Sequence, residues 1–352
     1  MTKIIDLRSD TVTTPTERMR EAMKDAAVGD DVLYEDPTVR KLEEMGAELF
    51  GKEQGLLTVS GTMSNQVAVL SLCKKGDQII VHDRSHMYNL EVAGLASIGG
   101  VQPRPVSALG GRYDLDELER EVFTSQIQTA PTTLICIENT FDLNRGLVIP
   151  KEHIDEVVHL AEKHNITVYM DGARVLNAAV KLNMNPAKLC EGVDALALCL
   201  SKALACPIGS LLVGSSEFIA RARRMRQMLG GGWRQAGIIA AAGIVALEQM
   251  VDRLAEDHEN ARLLAEGLIT LGLGIDSTQV QTNIIHIDLS VLGVTSVDFC
   301  SSLLEKGVKA KPVGLYEVRM ITHKDFKASD IETVLDAVSM CLKESKNGPA
   351  NQ

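Results

Sequence analysis

The chain has few aromatic residues and a deficit of positive charge. Aromatic residues make up 3% of its 352 residues, and 36 basic against 47 acidic side chains give a formal net charge of −11. Binding to nucleic acid requires basic side chains clustered on one face, so this balance argues against such a partner. The one basic cluster, Arg221 to Arg226, is typical of a solvated or inter-subunit helix face.

The cysteines and the apolar segments also lack several familiar patterns. The seven cysteines are odd in number, contain no Cys-x-x-Cys, and lie in several cases inside apolar runs, as reduced packing thiols do. The N-terminal residues have no apolar core of a secretory signal, and no uncharged stretch is long enough to span a bilayer. We therefore expect a cytoplasmic protein with no membrane association.

What the chain does contain is an alternation of short apolar runs with helical patterns. This alternation predicts an α/β fold with a mostly parallel central sheet and helices on both of its faces. The apolar runs occupy residues 56–59, 78–81, 133–137, 166–170, 195–200 and 210–213. From the length we expect an N-terminal arm (1–36), a large domain (37–248) and a smaller α+β C-terminal domain (249–352).

Caps and periodicity predict several further elements. A short helix follows Pro15 with Thr14 as its cap, and a long helical stretch covers residues 235–271. Residues 284–289 form a strand of the smaller domain. The last helix begins near Ser329, because Glu332 follows three residues later, as in a capping box.

Two charged side chains follow apolar runs that predict buried parallel strands. Asp171 opens the segment Asp171-Gly172-Ala173-Arg174, and Lys202 follows Ser201. Ligands of open α/β sheets bind at such strand ends, where desolvation makes a lysine amine a good Schiff-base former. Each residue also has a plainer interpretation, since Lys202 can extend towards solvent and Asp171 can cap the next helix. Together they suggest pyridoxal phosphate, with Asp171 opposite the protonated pyridine nitrogen.

A third element of such a site is a glycine-containing helix start. Ser60-Gly61-Thr62 follows the first apolar run and opens a helix, where backbone N–H groups can bind a phosphate. A Gly-Thr helix start is more often only a cap. His86, after a further strand end, can stack on a conjugated ring or act as an acid or base, unless it is merely a loop residue.

Two arginines are candidates for anion binding. Arg234 follows the glycine-rich segment 230–232, which allows backbone shapes that other residues avoid and which also suits an interdomain hinge. Arg319 lies on a predicted strand of the smaller domain and can hold a carboxylate in a bidentate pair, although an exposed ion pair is the commoner role. No metal-ligand pattern is predicted.

Taken together, these residues resemble the threonine aldolase family of pyridoxal phosphate enzymes of fold type I. The matching motifs, in chain order, are residues 6–13, Gly29-Asp30-Asp31, Ser60-Gly61-Thr62, Asp171-Gly172-Ala173-Arg174, Ser201-Lys202 and residues 230–235. The resemblance covers nearly the whole chain. It implies the fold of the aspartate aminotransferase-like enzymes and a homotetramer, built as a dimer of dimers.

The resemblance also implies a role for each site residue. Lys202 carries the cofactor as a Schiff base, Asp171 pairs with the pyridine nitrogen, and His86 stacks on the ring. The phosphate is bound by Gly61, Thr62 and Arg234, the last of these from a neighbouring subunit, and Arg174 is among the residues that bind the cofactor. The substrate carboxylate is bound by Ser9, Arg174 and Arg319. The implied reaction is retro-aldol cleavage of L-β-hydroxy-α-amino acids, which converts L-threonine or L-allo-threonine to glycine and acetaldehyde.

Two departures from the family pattern fall where the substrate is expected. The family usually has Glu-Asn-Thr-His, whereas this chain has Phe141 in the last position, so a histidine expected near the β-hydroxyl is missing. Leu33 and Tyr34 stand where an aromatic residue followed by glycine is common. A bulkier β-hydroxy amino acid as substrate, an alanine racemase on the same scaffold, and a non-catalytic binding protein are therefore alternatives to the threonine aldolase reaction.

Overall fold

A computed structural model describes residues 4–347 and divides them into two compact units. The larger unit comprises Pro15–Leu143 and Val148–Val251. The smaller unit comprises the described residues up to 14, residues 144–147 and the described residues from 252 onward. The predicted limits of the N-terminal arm (1–36), the large domain (37–248) and the C-terminal domain (249–352) stay predictions.

The larger unit is built around a seven-stranded sheet, and six of its strands run in one direction. In spatial order the strands are Gln54–Thr58, Ser210–Gly214, Ala195–Cys199, Thr167–Asp171, Thr132–Glu138, Gln78–His82 and Gln102–Val106. The second strand in this order is antiparallel to both of its neighbours. The predicted α/β fold with a mostly parallel sheet is thus confirmed, and each predicted apolar run forms a strand.

The edge strand Gln102–Val106 is the one strand of this sheet that the apolar runs did not predict. Pro103 and Pro105 interrupt any apolar run there, and they pair in register with Ile79 and Val81. Proline has no N–H to donate, which confines it to the edge of a sheet. This edge strand has no apolar run from which its position could be predicted.

Helices of the larger unit cover the sheet and supply much of its core. They are Glu17–Lys24, Pro37–Leu49, Gly61–Leu72, His86–Asn89, Gly94–Ser97, Leu115–Arg120, Lys151–Lys163, Val175–Leu182, Pro186–Leu189, Ser216–Met228 and Gly237–Gln249. A two-stranded hairpin pairs Ala108–Leu109 with Arg112–Tyr113. The predicted cap of the first helix is wrong by two residues, because Thr16 rather than Thr14 accepts the N–H of Met19, at 3.2 Å.

The predicted long helix over residues 235–271 is two helices, Gly237–Gln249 and Leu254–Thr270. The chain passes from the larger to the smaller unit between them, after Val251. Each helix buries an apolar face in its own unit, so the apolar pattern continues across the break and conceals it.

The smaller unit has an apolar core enclosed by short strands and helices. Its strands form a parallel pair, Ile5–Asp6 with Val308–Lys309, and an antiparallel sheet of Ile284–Asp288, Glu317–Ile321 and Lys311–Pro312. Its α-helices are Leu254–Thr270, Ser296–Glu305 and Ile331–Asn347, and its 3₁₀ turns are Asp10–Val12, Ser277–Gln279, Ser290–Leu292 and Ala328–Asp330. The strand predicted at residues 284–289 is confirmed.

The start of the last helix differs from the prediction. A 3₁₀ turn, Ala328–Asp330, precedes it, and the N–H of Lys327 donates to Asp330 Oδ2 at 2.9 Å. The predicted capping box of Ser329 and Glu332 is therefore wrong, since the capping pair is Lys327 and Asp330, two residues earlier. Within residues 4–347, no helix combines the length and the apolar character needed to cross a membrane.

Candidate active site

Charged side chains meet at the carboxyl ends of adjacent parallel strands in the larger unit. Glu138 and Asp171 end their strands and pair in register, and Lys202 lies three residues beyond the next strand, Ala195–Cys199. A cavity opens at this edge, where ligands of open α/β sheets bind. Its lining includes these predicted residues: Gly61, Thr62, His86, Asp171, Arg174 and Lys202. The lining also includes Ser60, Asn65, Glu138, Thr140, Leu143, Ala173, Cys199 and Ser201.

The carboxylate of Asp171 is buried and hydrogen-bonded at both oxygens. Asp171 is only 4% exposed. Asn65 Nδ2 donates to Oδ2 at 2.9 Å, and the N–H of Ala173 donates to Oδ1 at 3.2 Å. Burying a carboxylate is costly without such partners, so the neutral donors hold Asp171 in one orientation.

The ring of His86 is held by a second buried carboxylate. His86 begins the short helix His86–Asn89, and its Nδ1 lies 3.0 Å from Glu91 Oε1. Glu91 also accepts from Asn65 Nδ2 at 2.7 Å and from Gln66 Nε2 at 2.9 Å. The imidazole therefore has a fixed position on the cavity wall.

A third carboxyl group, that of Glu138, lies between the strand edge and the His86 helix. Its Oε2 accepts the backbone N–H of His86 at 2.6 Å. Burial raises the pKa of Glu138 well above its usual range, and the nearby Asp171 carboxylate raises it further. Glu138 therefore keeps its proton more readily than an exposed glutamate and anchors the start of the helix.

The helix Gly61–Leu72 begins at the cavity with backbone N–H groups of its first turn. Ser60 is the cap and accepts the N–H of Met63 at 3.2 Å, whereas Gly61 and Thr62 occupy positions whose N–H groups have no intrahelical acceptor. A Cβ on Gly61 would lie 2.6 Å from Cys199 Sγ, so the close packing here requires glycine. Such a helix start favours a bound anion.

These groups fit pyridoxal phosphate. The helix start at Gly61 and Thr62 suits the phosphate, and the amine of Lys202 suits the aldehyde carbon. A protonated pyridine nitrogen would give the buried Asp171 carboxylate a positively charged partner. Arg174, which is 9% exposed and precedes the helix Val175–Leu182, adds positive charge to the same wall.

Two of the predicted site residues lie elsewhere in the larger unit. Among the residues that the structure describes, the cavity lining does not include Arg234 or Phe141. Arg234 has a 63% exposed side chain and pairs with Asp30 at 3.0 Å. Phe141 is buried with its ring centroid 4.7 Å from that of His82. Their predicted contacts with cofactor and substrate stay predictions.

Leu33 and Tyr34 also lie apart from the Lys202 cavity. They are 63% and 55% exposed, and Tyr34 has a left-handed backbone with φ of 65°. The Tyr34 ring lies between two guanidinium groups, 4.4 Å from Arg40 and 4.5 Å from Arg223. Glycine adopts this backbone conformation more readily than tyrosine, and the predicted role of both residues in substrate binding stays a prediction.

Ser9 and Arg319 belong to the smaller unit. Ser9 caps the turn Asp10–Val12 by accepting the N–H of Thr11 at 3.2 Å. Arg319 lies on the predicted strand, Glu317–Ile321, is 2% exposed, and donates through Nη2 to the carbonyl of Arg8 at 2.9 Å. Their contact with a substrate carboxylate also stays a prediction.

The sequence analysis missed Asn65, Glu91, Glu138 and Tyr169, which hold the predicted residues in place. Tyr169 donates to Asn65 Oδ1 at 2.7 Å, and burial raises the Tyr169 pKa. Glu138 was available to the same reasoning as Asp171, because each ends a strand at one edge of the sheet. Asn65 follows Gly61 by four residues, which puts both on one face of their helix.

Comparison with known proteins agrees with this geometry. The family model described as beta-eliminating lyase matches residues 6–290. The chain is 41% identical over 339 residues to a probable low-specificity L-threonine aldolase 2 of Arabidopsis thaliana, covering 95% of this chain and 96% of that one.

Solved structures of low sequence identity share the fold. A putative L-allo-threonine aldolase from Listeria monocytogenes superposes with a TM-score of 0.78 at 18% identity, covering 96% of each chain. A structure of SPT with pyridoxal phosphate bound superposes with a TM-score of 0.77 at 17% identity, covering 97% of this chain and 88% of that one. The family match and the near full-length identity show that the chain belongs to the threonine aldolases, pyridoxal-phosphate-dependent members of the beta-eliminating lyase family.

Proposed function

We propose that the protein cleaves the Cα–Cβ bond of L-β-hydroxy-α-amino acids, with L-threonine or L-allo-threonine yielding glycine and acetaldehyde. The observation that carries this proposal is the meeting of Lys202, Asp171 and His86 in one cavity. The low-specificity L-threonine aldolases to which the chain is 41% identical support the same reaction.

Each of these residues has a defined task. Pyridoxal phosphate, when bound at Lys202, supplies an electron sink for the negative charge that develops at Cα. The Asp171 carboxylate would hold the ring nitrogen in its protonated form, which would make the sink more effective. Gly61 and Thr62 bind the phosphate through the helix start and fix the position of the reacting atoms.

The substrate carboxylate decides which bond at Cα is broken. We assign its binding to Arg174, whose side chain lines the cavity. A carboxylate held by arginine cannot rotate freely, so this contact would fix the orientation of the bonds at Cα and select the Cα–Cβ bond for cleavage. Cleavage leaves the electron pair at Cα, and addition of a proton there gives glycine.

His86 is the base that we assign to the β-hydroxyl group. The oxygen of this group becomes the aldehyde carbonyl as its proton passes to the imidazole and the Cα–Cβ bond breaks. The family histidine is replaced by Phe141, whose buried ring packs on His82. Loss of a sole general base costs on the order of 10²–10⁴ in rate, so an active enzyme needs another base.

Subunits complete the site in this proposal. Arg234 from a neighbouring subunit binds the phosphate, and the assembly is a homotetramer built as a dimer of dimers, located in the cytoplasm. Support comes from the exposure of Arg234, whose side chain pairs on its own chain with Asp30. A cation at the protein surface is available to a phosphate on another chain.

A panel of substrates tests the proposed reaction. Purified enzyme with added cofactor is assayed for glycine and aldehyde from L-threonine, L-allo-threonine and bulkier β-hydroxy amino acids, and for chiral change in alanine. We expect acetaldehyde from both threonine isomers and its loss in Lys202→Ala. Racemisation of alanine without aldehyde, or full activity of Lys202→Ala, would refute the proposal. A strong preference for a bulkier substrate would instead favour the specialised aldolase that Phe141 suggests.

A further inference from the structure

A buried polar network joins the ring of His86 to the carboxylate of Asp171. Glu91 contacts His86, and the two hydrogens of the Asn65 side-chain amide bridge Glu91 and Asp171, at 2.7 Å and 2.9 Å. One ring nitrogen of His86 and one carboxylate oxygen each of Glu91 and Asp171 all lie within 4.8 Å of one another. The amide of Asn65 thus supplies the positive hydrogens between two like charges.

The hydrogen-bond donors around Glu91 determine the tautomer of His86. Both Glu91 oxygens accept from side-chain amides, because Asn65 donates to Oε1 and Gln66 donates to Oε2. Two such donors favour the carboxylate form of Glu91, which has no proton to donate. With Glu91 as a carboxylate, the hydrogen in the 3.0 Å contact belongs to His86 Nδ1, and Nε2 of the neutral ring is then an acceptor.

The backbone beside Glu91 is strained, which indicates that its position is over-determined. Val92 and Ala93 follow Glu91 directly and have left-handed φ values of 52° and 55°. A β-branched residue is a particular outlier there. Val92 is 94% exposed, so its own packing does not explain the conformation. Such strain persists where surrounding contacts enforce it. Here the Glu91 carbonyl accepts the N–H of Gly94 at 2.8 Å, and the Ala93 carbonyl accepts the N–H of Ser97 at 2.9 Å at the start of the helix Gly94–Ser97.

We propose that Glu91 is a positioning residue that fixes His86 as the Nδ1–H tautomer and leaves Nε2 as the acceptor for the β-hydroxyl proton. The buried negative charge of Glu91 also stabilises the imidazolium that forms when this proton is taken up. Asn65 donates hydrogen bonds to both Glu91 and Asp171, and so holds the His86–Glu91 pair in a fixed position relative to Asp171. The catalytic part of this inference rests on the proposed function.

Nitrogen NMR of the holoenzyme tests the tautomer without any substitution in the network. The chain has eight histidines, and two of them provide internal references. His153 Nε2 accepts the N–H of Tyr113 at 3.0 Å, which makes it an Nδ1–H tautomer. His323 Nε2 faces the carbonyl of Asp6 at 2.8 Å, which makes it an Nε2–H tautomer. With ¹⁵N-labelled histidine, and His86→Asn to assign the resonance, we expect the ring pattern of His86 to match that of His153.

A pair of matched substitutions tests the effect on catalysis. His153 Nδ1 also faces a glutamate, Glu156 Oε2 at 3.1 Å, in a pair outside the cavity. Glu91→Gln removes the charge at constant size, and we expect kcat for threonine cleavage to fall at least about tenfold with KM and cofactor affinity changing little. Glu156→Gln makes the same chemical change elsewhere and should leave kcat unaltered. Glu91→Asp, which keeps the charge, should retain more activity than Glu91→Gln.

Several results would overturn the positioning role. One is a His86 pattern like that of His323, and another is a doubly protonated ring at neutral pH. A third is a Glu91→Gln enzyme whose kcat matches the wild type, or whose loss lies in KM or cofactor affinity. If Glu91→Gln does not fold, the wild-type spectrum still decides the tautomer. Wild-type enzyme that releases no aldehyde would contradict the proposed function. The NMR spectra report the tautomer of His86 whether or not the enzyme cleaves threonine, so the two failures can be distinguished.

Discussion

Glu138 is a buried carboxyl whose titration opposes folding at neutral pH. Its folded-state pKa lies above its ordinary value of 4.5, because burial and Asp171 both disfavour the charge. The folded chain must then retain a proton that the unfolded chain releases. The stability associated with the neutral carboxyl is complete at low pH and is lost as the pH rises from about 4.5 through the folded-state pKa.

Glu138→Gln should therefore gain stability relative to the wild type as the pH increases. The glutamine carbonyl can still accept the N–H of His86, and it carries no charge at any pH. Urea unfolding of both proteins at mildly acidic and mildly alkaline pH measures the difference in free energy of unfolding. A difference that stays constant across this range would show that Glu138 is ionised in both states.

Phe141 occupies a dry position that suits a hydrocarbon ring. It is 2% exposed and packs edge-on against His82, whose own pKa burial lowers to about 3. Phe141→His would bury a second polar ring there, so we expect a loss of about 1–3 kcal/mol in stability and no increase in acetaldehyde release. Urea unfolding and the threonine assay check both parts. Faster cleavage by the variant would show that the histidine position reaches the substrate.

Among the secondary-structure elements, the central strands of the sheet, which are buried on both faces, were the easiest to predict from the sequence. The strand Ala195–Cys199 is apolar throughout and buried at every residue, and the same composition marks the neighbouring strands. Asp171 and Lys202 were predictable for a related reason, since a charge directly after such a run must lie at the sheet edge. The edge strand Gln102–Val106 and the helix break after Gln249 carry no comparable pattern.

The residues that position the site were less predictable because their roles depend on tertiary contacts. Asn65 and Glu91 are separated by 26 residues and Asn65 and Asp171 by 106, so no local spacing brings them together. A buried polar residue on a helix is also compatible with many partners. Only the fold shows which carboxylates the Asn65 amide bridges.

Two adjacent aspartates attach the loop before helix Pro37–Leu49 to the rest of the larger unit in different ways. Asp31 is fully buried and pairs with the buried Arg226 at 2.6 Å, on the helix Ser216–Met228. Asp30 pairs with Arg234, whose side chain is exposed. Asp31→Asn should cost about 3–5 kcal/mol of stability, because it leaves a buried arginine without its counter-charge.

Asp30→Asn is the matched control for this change. It should cost less than about 1 kcal/mol, since solvent screens the exposed pair and the asparagine oxygen can still accept the N–H of Val32. Chemical unfolding of the two variants gives the comparison directly. Equal losses would mean that the buried pair with Arg226 contributes no more than the exposed one.

For the whole molecule, the cavity in each chain holds the lysine, the aspartate and the helix start but not Arg234, within the residues that the structure describes. If the phosphate-binding arginine comes from a neighbouring subunit, two differently inactivated chains should restore each other. Lys202→Ala lacks the reactive amine, and Arg234→Ala lacks the donated guanidinium. A mixed dimer would contain one site with both groups and one site with neither.

Mixing these two variants after mild dissociation should therefore recover activity that neither shows alone. Random reassociation makes about half of the dimers mixed, so activity should approach about one quarter of the wild-type value. Light scattering on the same samples reports whether the subunits associate at all. If Arg234 acted on its own chain, every mixed dimer would keep one site without the lysine and one without the arginine, and mixing would restore nothing. Activity of the mixture thus separates a shared site from a self-contained one.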